Sequence, residues 1–276
     1  MQNILCLSVI TFWLTACNTD ESKTSETLVP KAPSQDTTVV DQPAVIASGL
    51  VLSPFKLSDK NCDLVMPEDM EIEEGWCNSR EITGLRVSLN NTSVAQKING
   101  LIAKEITGKV GDFTALKKFV ADIKTLSNEE GVEDYVQDEY TCSLIDSSNT
   151  FMSLKVFSYF YSIGAAHGQS SVQVLNLDLT TGSKITLADL FVNNYRSTLK
   201  AFAKRNFMAQ NGNDGWWFTT GDQPFDLPES FAVTRKGITF FYQPYEIGPY
   251  AAGAPEVFLS KKDLAKWLKK NPYLIP

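Results

Sequence analysis

The chain holds a single histidine, His167, set among small residues in Gly164-Ala165-Ala166-His167-Gly168. An exposed imidazole can serve as a general base, a ligand or a hydrogen-bonding anchor. Nucleophilic catalysis would need a Ser or Cys positioned against it, and zinc would need further nitrogen or thiolate ligands. No motif supplies either, so His167 is expected to satisfy backbone groups in a tight turn, with binding as its functional role. Glu246 is the second candidate. Paired with Asp189 or Asp178 it would furnish the two carboxyl groups of glycoside hydrolysis, although no spacing specifies that pair. Glu246 lies in the densest motif, Tyr242-Gln243-Pro244-Tyr245-Glu246-Ile247-Gly248-Pro249-Tyr250-Ala251-Ala252-Gly253. Pro and Gly fix an irregular path there. Tyr245 and Tyr250 add apolar area with polar tips, a composition suited to recognising a protein or a glycan. Trp216 and Trp217 stand in polar surroundings, where aromatics stack on sugars, anchor interfaces or plug their own loop. These residues call for no metal and no cofactor, and the expectation is a protein that is not an enzyme.

The cysteines divide by chemistry. Cys17 closes Leu14-Thr15-Ala16-Cys17, directly after the apolar run from Ile4 to Trp13. A bilayer-spanning helix needs about 20 apolar residues, so this run fits the core of a secretory signal instead. Leu-x-Ala-Cys resembles the bacterial lipobox, whose cysteine receives fatty acid such as palmitate and becomes the new first residue. No Lys or Arg precedes the run, so the initiator amine alone supplies positive charge. Residues 1–16 are thus expected to be a lipoprotein signal peptide. Residues 17–44, rich in Ser, Thr, Asp, Glu, Lys and Pro, are expected to be a lipidated, disordered tether. Asn18 after the cysteine resembles the sorting pattern of lipoproteins sent to the outer membrane, facing the periplasm, in cells with two membranes. Cys62 and Cys77 enclose a short loop and are the natural disulfide pair in an oxidising compartment. Cys62–Cys142 and Cys77–Cys142 remain open from the spacing. Cys142, inside an apolar strand pattern, reads as a buried free thiol.

Positioning these residues falls to residues 45–276, with 45–158 and 159–276 as candidate halves. The net charge of −7 argues against nucleic acid and favours neutral or cationic partners. An acidic run lies between Cys62 and Cys77, suited to steering a cationic partner. Residues 45–52 read as an opening strand and 82–89 as an alternating strand. Ser93 with Gln96 reads as a capping box for a helix with Val94, Ile98, Leu101, Ile102 and Ile106 in one stripe. Asp112 starts a second helix carrying Phe113, Leu116, Phe119, Val120 and Ile123. Residues 135–145 and 151–163 read as a hairpin around 146–149. The apolar phase of the strand 172–179 shifts between Val174 and Leu175, which predicts a bulge. Thr186 and Asp189 cap a short turn, and a helix follows from Tyr195. Residues 210–229 read as a loop, 231–233 and 238–242 as a hairpin, and Ser260 caps a last helix. Interspersed helices and hairpin-linked strands predict an α+β fold, largely antiparallel, with helices packed on one face.

Three groups of residues together resemble the extracytoplasmic domain of the RsiV-like family. They are Gly164–Gly168; Asn176-Leu177-Asp178-Leu179-Thr180-Thr181-Gly182 with Thr186–Phe191; and Phe231–Thr234, Gly237–Phe240 and Tyr245–Gly253. That family includes a membrane-anchored, lysozyme-sensing anti-sigma factor and the non-catalytic part of a peptidoglycan deacetylase. The anti-sigma factor's sigma-binding segment and transmembrane helix, and the deacetylase's catalytic domain, have no counterpart in this sequence. The resemblance implies an exported binding module whose partner is lysozyme, another cationic muramidase, or peptidoglycan. The candidate binding residues are His167, Tyr245, Glu246, Tyr250, Trp216 and Trp217. Two other readings stand beside it: an envelope glycan hydrolase using Glu246, Asp189 and His167, and a structural envelope lipoprotein.

Overall fold

A computed structural model describes residues 44–46, 49–63, 76–109, 111–125, 136–212, 217–218 and 225–274. The signal-like run, Cys17, nearly all of the tether, most of the acidic run and Trp216 lie outside the described residues. The larger sheet holds β1 (Ala44–Ile46), β2 (Leu50–Asn61), β3 (Asn78–Ser88), β4 (Val136–Ser147), β5 (Phe151–Ser162) and β6 (Gln169–Asp178), side by side in chain order. A smaller sheet holds β7 (Phe231–Thr234), β8 (Gly237–Phe241) and β9 (Glu256–Ser260). Every pairing is antiparallel except β3 with β4. A parallel pair needs a long crossover. Here it is supplied by α1 (Thr92–Thr107), α2 (Phe113–Ala121) and the 3-10 turn Asp122–Thr125. The fold is α+β, as the sequence predicts.

Local chemistry explains most boundaries. Gly49 takes φ +73°, which turns the chain between β1 and β2 and makes a hairpin of the expected single opening strand. α1 starts one turn-half earlier than the Ser93 pattern implies. Its cap is Asn91, whose side chain accepts from the Val94 N–H at 3.2 Å. Asp112 caps α2 through the N–H groups of Thr114 and Ala115, as expected. β9 and the extension of helix α4 (Arg196–Asn211) through the start of the expected loop were not legible from pattern. Cys62 and Cys77 are joined, their Cα atoms 4.2 Å apart. The register Asn61↔Asn78 places them opposite one another just past the last β2–β3 pair, so the bond closes the connecting loop at its base. Cys142 is a free, buried thiol against Gly84 and α1.

The larger sheet is covered on both faces. On one, Met152, Leu154, Val156, Leu175 and Leu177 meet Val94, Ile98 and Ile102 of α1. On the other, Phe157, Val172 and Val174 meet Ala232 and Phe241 of the small sheet. This corrects the expected bulge at Val174/Leu175. β5 and β6 pair without a register shift, and both phases of β6 are apolar because both faces are buried. The irregularity sits instead in β4, between Leu144 and Asp146, where Ile145 is the extra residue. β5 runs unbroken through residues 158 and 159, between the two candidate halves. α4 and the single turn α5 (Lys261–Leu264) close the small sheet over a second core built from Phe207, Phe225, Phe240, Tyr242 and Trp267.

Candidate binding site

Past the edge of the small sheet, the face of β5 that carries Phe157 continues with Tyr159 and Tyr161, because alternate residues share a face. The loop after β5 brings Gly168 back onto Tyr159. The positions of Tyr159 and Gly168 are mutually dependent: a Cβ on Gly168 would sit 2.2 Å from the Tyr159 ring. Tyr250 enters from the loop after β8. Its hydroxyl donates to the Gly168 carbonyl at 2.6 Å, and its ring stacks on the His167 imidazole with centroids 4.2 Å apart and planes 21° from parallel. His167 Nδ1 lies 2.8 Å from the same carbonyl, so Nδ1 is the protonated nitrogen that donates. One carbonyl therefore fixes both rings. Tyr245 extends the row, its ring centroid 5.4 Å from that of Tyr250.

Tyr245 is the exposed end of this row. It stands 57% exposed with φ +68°, in the left-handed region that a bulky residue seldom adopts. The turn beneath it is held by Glu246, which accepts from the Gln243 N–H at 2.8 Å while its own N–H donates to the Gln243 carbonyl. Gln243 is anchored in turn to β6, its amide bonded to both the N–H and the C=O of Val172. Partial burial pushes the Glu246 carboxyl above the ordinary range; the Gln243 N–H opposes this and Glu229 adds to it. Burial, then Tyr250 and Glu139, raise the Tyr159 phenol. Glu139 is the register partner of Tyr159 and is exposed. Carboxylates therefore stand at both ends of the arrangement: Glu139 beside Tyr159, and Glu246 next to Tyr245 in the chain.

Trp217 packs inward. Its ring meets Phe207 edge-on at 4.9 Å, a Cβ on Gly248 would lie 2.9 Å from it, and its Nε1–H donates to the Gly212 carbonyl. It props the Tyr-rich loop from below, and Phe218 N–H donates to the Ile247 carbonyl beside it. Asp189 caps α3 (Leu187–Leu190), accepting from the hydroxyl and N–H of Thr186, which hold its carboxyl below the usual range. Asp178 accepts from the Tyr273 hydroxyl and from the N–H groups of Thr180 and Thr181. Among the described residues no hydrogen bond or ion pair joins Glu246, Asp189, Asp178 and His167 to one another, and no group of three or more His, Cys, Asp or Glu is arranged to hold a metal.

The structure therefore unites His167, Tyr245, Glu246 and Tyr250, and sets Trp217 beneath them. Tyr159, Tyr161 and Glu139 were missed. The signal was available in Tyr159-Phe160-Tyr161, where period two puts both tyrosines on one face. Trp76, next to Cys77, adjoins Tyr161 at 5.9 Å.

Comparison with known proteins bears on the fold first. The chain resembles a DUF3298 family member from Bacteroides fragilis NCTC 9343, with TM-score 0.68 and 19% identity over 82% of this chain and 96% of that one. It also resembles a DUF3298 family protein from Pseudomonas aeruginosa PAO1, with TM-score 0.60 and 18% identity over the same shares. At the level of sequence, residues 188–262 match the model of a family described as "Protein of unknown function (DUF3298)". That stretch runs from α3 through α5 and contains the Tyr-rich loop, while His167 and Tyr159 lie outside it. No curated protein matches the chain.

Proposed function

We propose that this is an exported, lipid-anchored binding protein of the bacterial cell envelope. Its Tyr245–Tyr250–His167 row engages a cationic protein, a muramidase of the lysozyme class. The observation that carries the reading is Tyr245, a large exposed ring held at positive φ, backed by a stack fixed on one carbonyl and flanked by carboxylates. A rigid aromatic anchor loses little side-chain entropy on binding, and flanking acid attracts and orients a basic partner. The RsiV-like resemblance of the same loops supports lysozyme as the partner, and Leu14-Thr15-Ala16-Cys17 with the tether supports the anchor and its outer-membrane, periplasm-facing site.

Calorimetric titration with lysozyme tests the partner. Binding is expected at low salt, weakening as salt rises, with a loss of about tenfold or more for Tyr245→Ala. No heat and no complex at low salt removes lysozyme. The exposed row also suits stacking on sugar rings, which favours peptidoglycan as a second reading. Cosedimentation with purified peptidoglycan that is lost in Tyr245→Ala, without lysozyme binding, would select it. Acylation is tested separately. Mass spectrometry should find fatty acid on Cys17, and a Cys17→Ala chain that fractionates like the wild type would remove the anchor.

A further inference from the structure

A second surface, away from any role given above, is built from α4 and the segment from Lys261 to Lys270. The protein is acidic overall, yet α4 carries Arg196, Lys200, Lys204 and Arg205 and no acid along its length. Arg196 and Lys200 share Asp226. Across the seam, Trp267 Nε1–H donates to the Thr198 hydroxyl at 2.8 Å, and the Trp267 and Phe202 rings lie 5.3 Å apart. This fastens the two segments side by side. Cations stand over those rings: Lys266 Nζ is 4.0 Å from the Trp267 centroid and 5.8 Å from that of Phe202, and the Arg205 guanidinium is 5.6 Å from Phe202. Lys262 and Lys270, in the same segment as Lys266, are also exposed. Among the described residues, Arg205, Lys262, Lys266 and Lys270 make no ion pair with a carboxylate. The one acid within the 261–270 segment, Asp263, is turned to Ser260. Val192, whose N–H donates to the Trp267 carbonyl, is 41% exposed at the rim.

We propose that this seam docks on the anionic phospholipid headgroups of the bilayer to which the chain is tethered. Unpaired lysines and an arginine around the partly exposed Phe202 ring, which packs on the buried Trp267, match a phosphate-studded interface, where cations meet headgroups and apolar stems lie against the lipid boundary. A soluble anionic partner would be held by charge and would make no use of the exposed Val192 or the partly exposed Phe202 ring. The membrane rests on the lipid-anchor reading above. If residues 17–44 are the tether that their composition implies, a random coil of that length would span ~30 Å on average, within which the seam could reach the surface.

The test uses the full chain, purified in detergent and reconstituted on vesicles of phosphatidylcholine or of phosphatidylcholine mixed with phosphatidylglycerol. Backbone hydrogen exchange in residues 196–211 and 261–270 is expected to slow by about tenfold or more on the anionic vesicles relative to the neutral ones, and to recover in high salt. A chain carrying Arg205→Gln, Lys262→Gln, Lys266→Gln and Lys270→Gln should lose that difference while lysozyme binding at the Tyr245 face stays unchanged. Equal exchange on both vesicles overturns the proposal, as does an unaltered difference in the fourfold variant. Slowing by soluble polyphosphate with none on vesicles replaces the membrane with a soluble polyanion and also overturns it. Failure of the anchor would appear separately, as absence of fatty acid on Cys17. Vesicle-induced protection of the Cys17→Ser chain tests the seam without the anchor.

Discussion

At the residue scale, two side chains have ionisation that can be measured. Burial pushes the Cys142 thiol up to about 12. An unfolded thiol ionises near 8.5, so between these values the unfolded state gains a charge that the native state refuses. The favourable contribution is therefore complete below about pH 8.5 and declines by about 1.4 kcal/mol per pH unit above it. Chemical denaturation of wild type and Cys142→Ala from pH 8 to 11 should show the extra alkaline slope only in the wild type. Native Cys142 should also resist thiol reagents until the protein unfolds. Glu246 behaves in the opposite functional sense. Its carboxyl lies above the ordinary range, so on acidification it loses its charge before ordinary carboxylates do. Attraction for a basic partner should fall early as pH drops, and Glu246→Gln should remove that first step from the pH profile of lysozyme affinity. A profile identical to wild type would show that Glu246 does not face the partner.

At the element scale, the strands are secured by side-chain amides acting as partial partner strands. β3 diverges from β4 after Thr83, and Asn99 of α1 takes both the N–H and the C=O of Val87. Gln243 does the same for Val172 on edge strand β6, and Gln210 for Phe258 on edge strand β9. Asn176 accepts from the Val233 N–H and donates to the Phe231 C=O, both buried. Such pairing satisfies backbone groups that would otherwise be exposed edges or buried orphans. Asn176→Ala orphans these two buried backbone groups and should cost about 2 kcal/mol or more, lowering Tm by roughly 4–8 °C in thermal denaturation. The staple at the β2–β3 end is a second element-scale case. Opening the Cys62–Cys77 loop by reduction should cost about 3 kcal/mol in denaturant titrations, from loop entropy in the unfolded chain.

At the scale of the whole molecule, the two sheets share buried material. Ser153 of β5 donates to the Val233 carbonyl of β7, Phe151 of β5 belongs to the small sheet's core, and β7 lies across β4, β5 and β6. The binding row depends on the same arrangement, because Tyr159 comes from the large sheet and Tyr250 from the loop after β8. Unfolding of residues 40–276 should therefore be a single event, with tryptophan fluorescence and far-ultraviolet circular dichroism changing together. Two separated transitions would mean that the bonds from Ser153 and Asn176 to Phe231 and Val233 of β7 do not couple the sheets.

The sequence by itself determined what depends on near neighbours: the Asp112 cap, the apolar stripe of α1, the hairpin around 146–149, and a Tyr-rich loop with a fixed irregular path. It also made Cys62 and Cys77 the natural pair, because a short loop is easily closed. Three things were decided only by tertiary structure. A second sheet covers the far face of β5 and β6, which turns an apparent phase error into burial on both sides. Trp217 faces inward because Phe207 and Gly248 leave a slot for it. His167 becomes part of a stack because a tyrosine 83 positions later donates to the carbonyl beside it. Periodicity reports which side of an element is apolar, while contacts between residues this far apart in the chain are set by how whole sheets pack, and no local pattern encodes them.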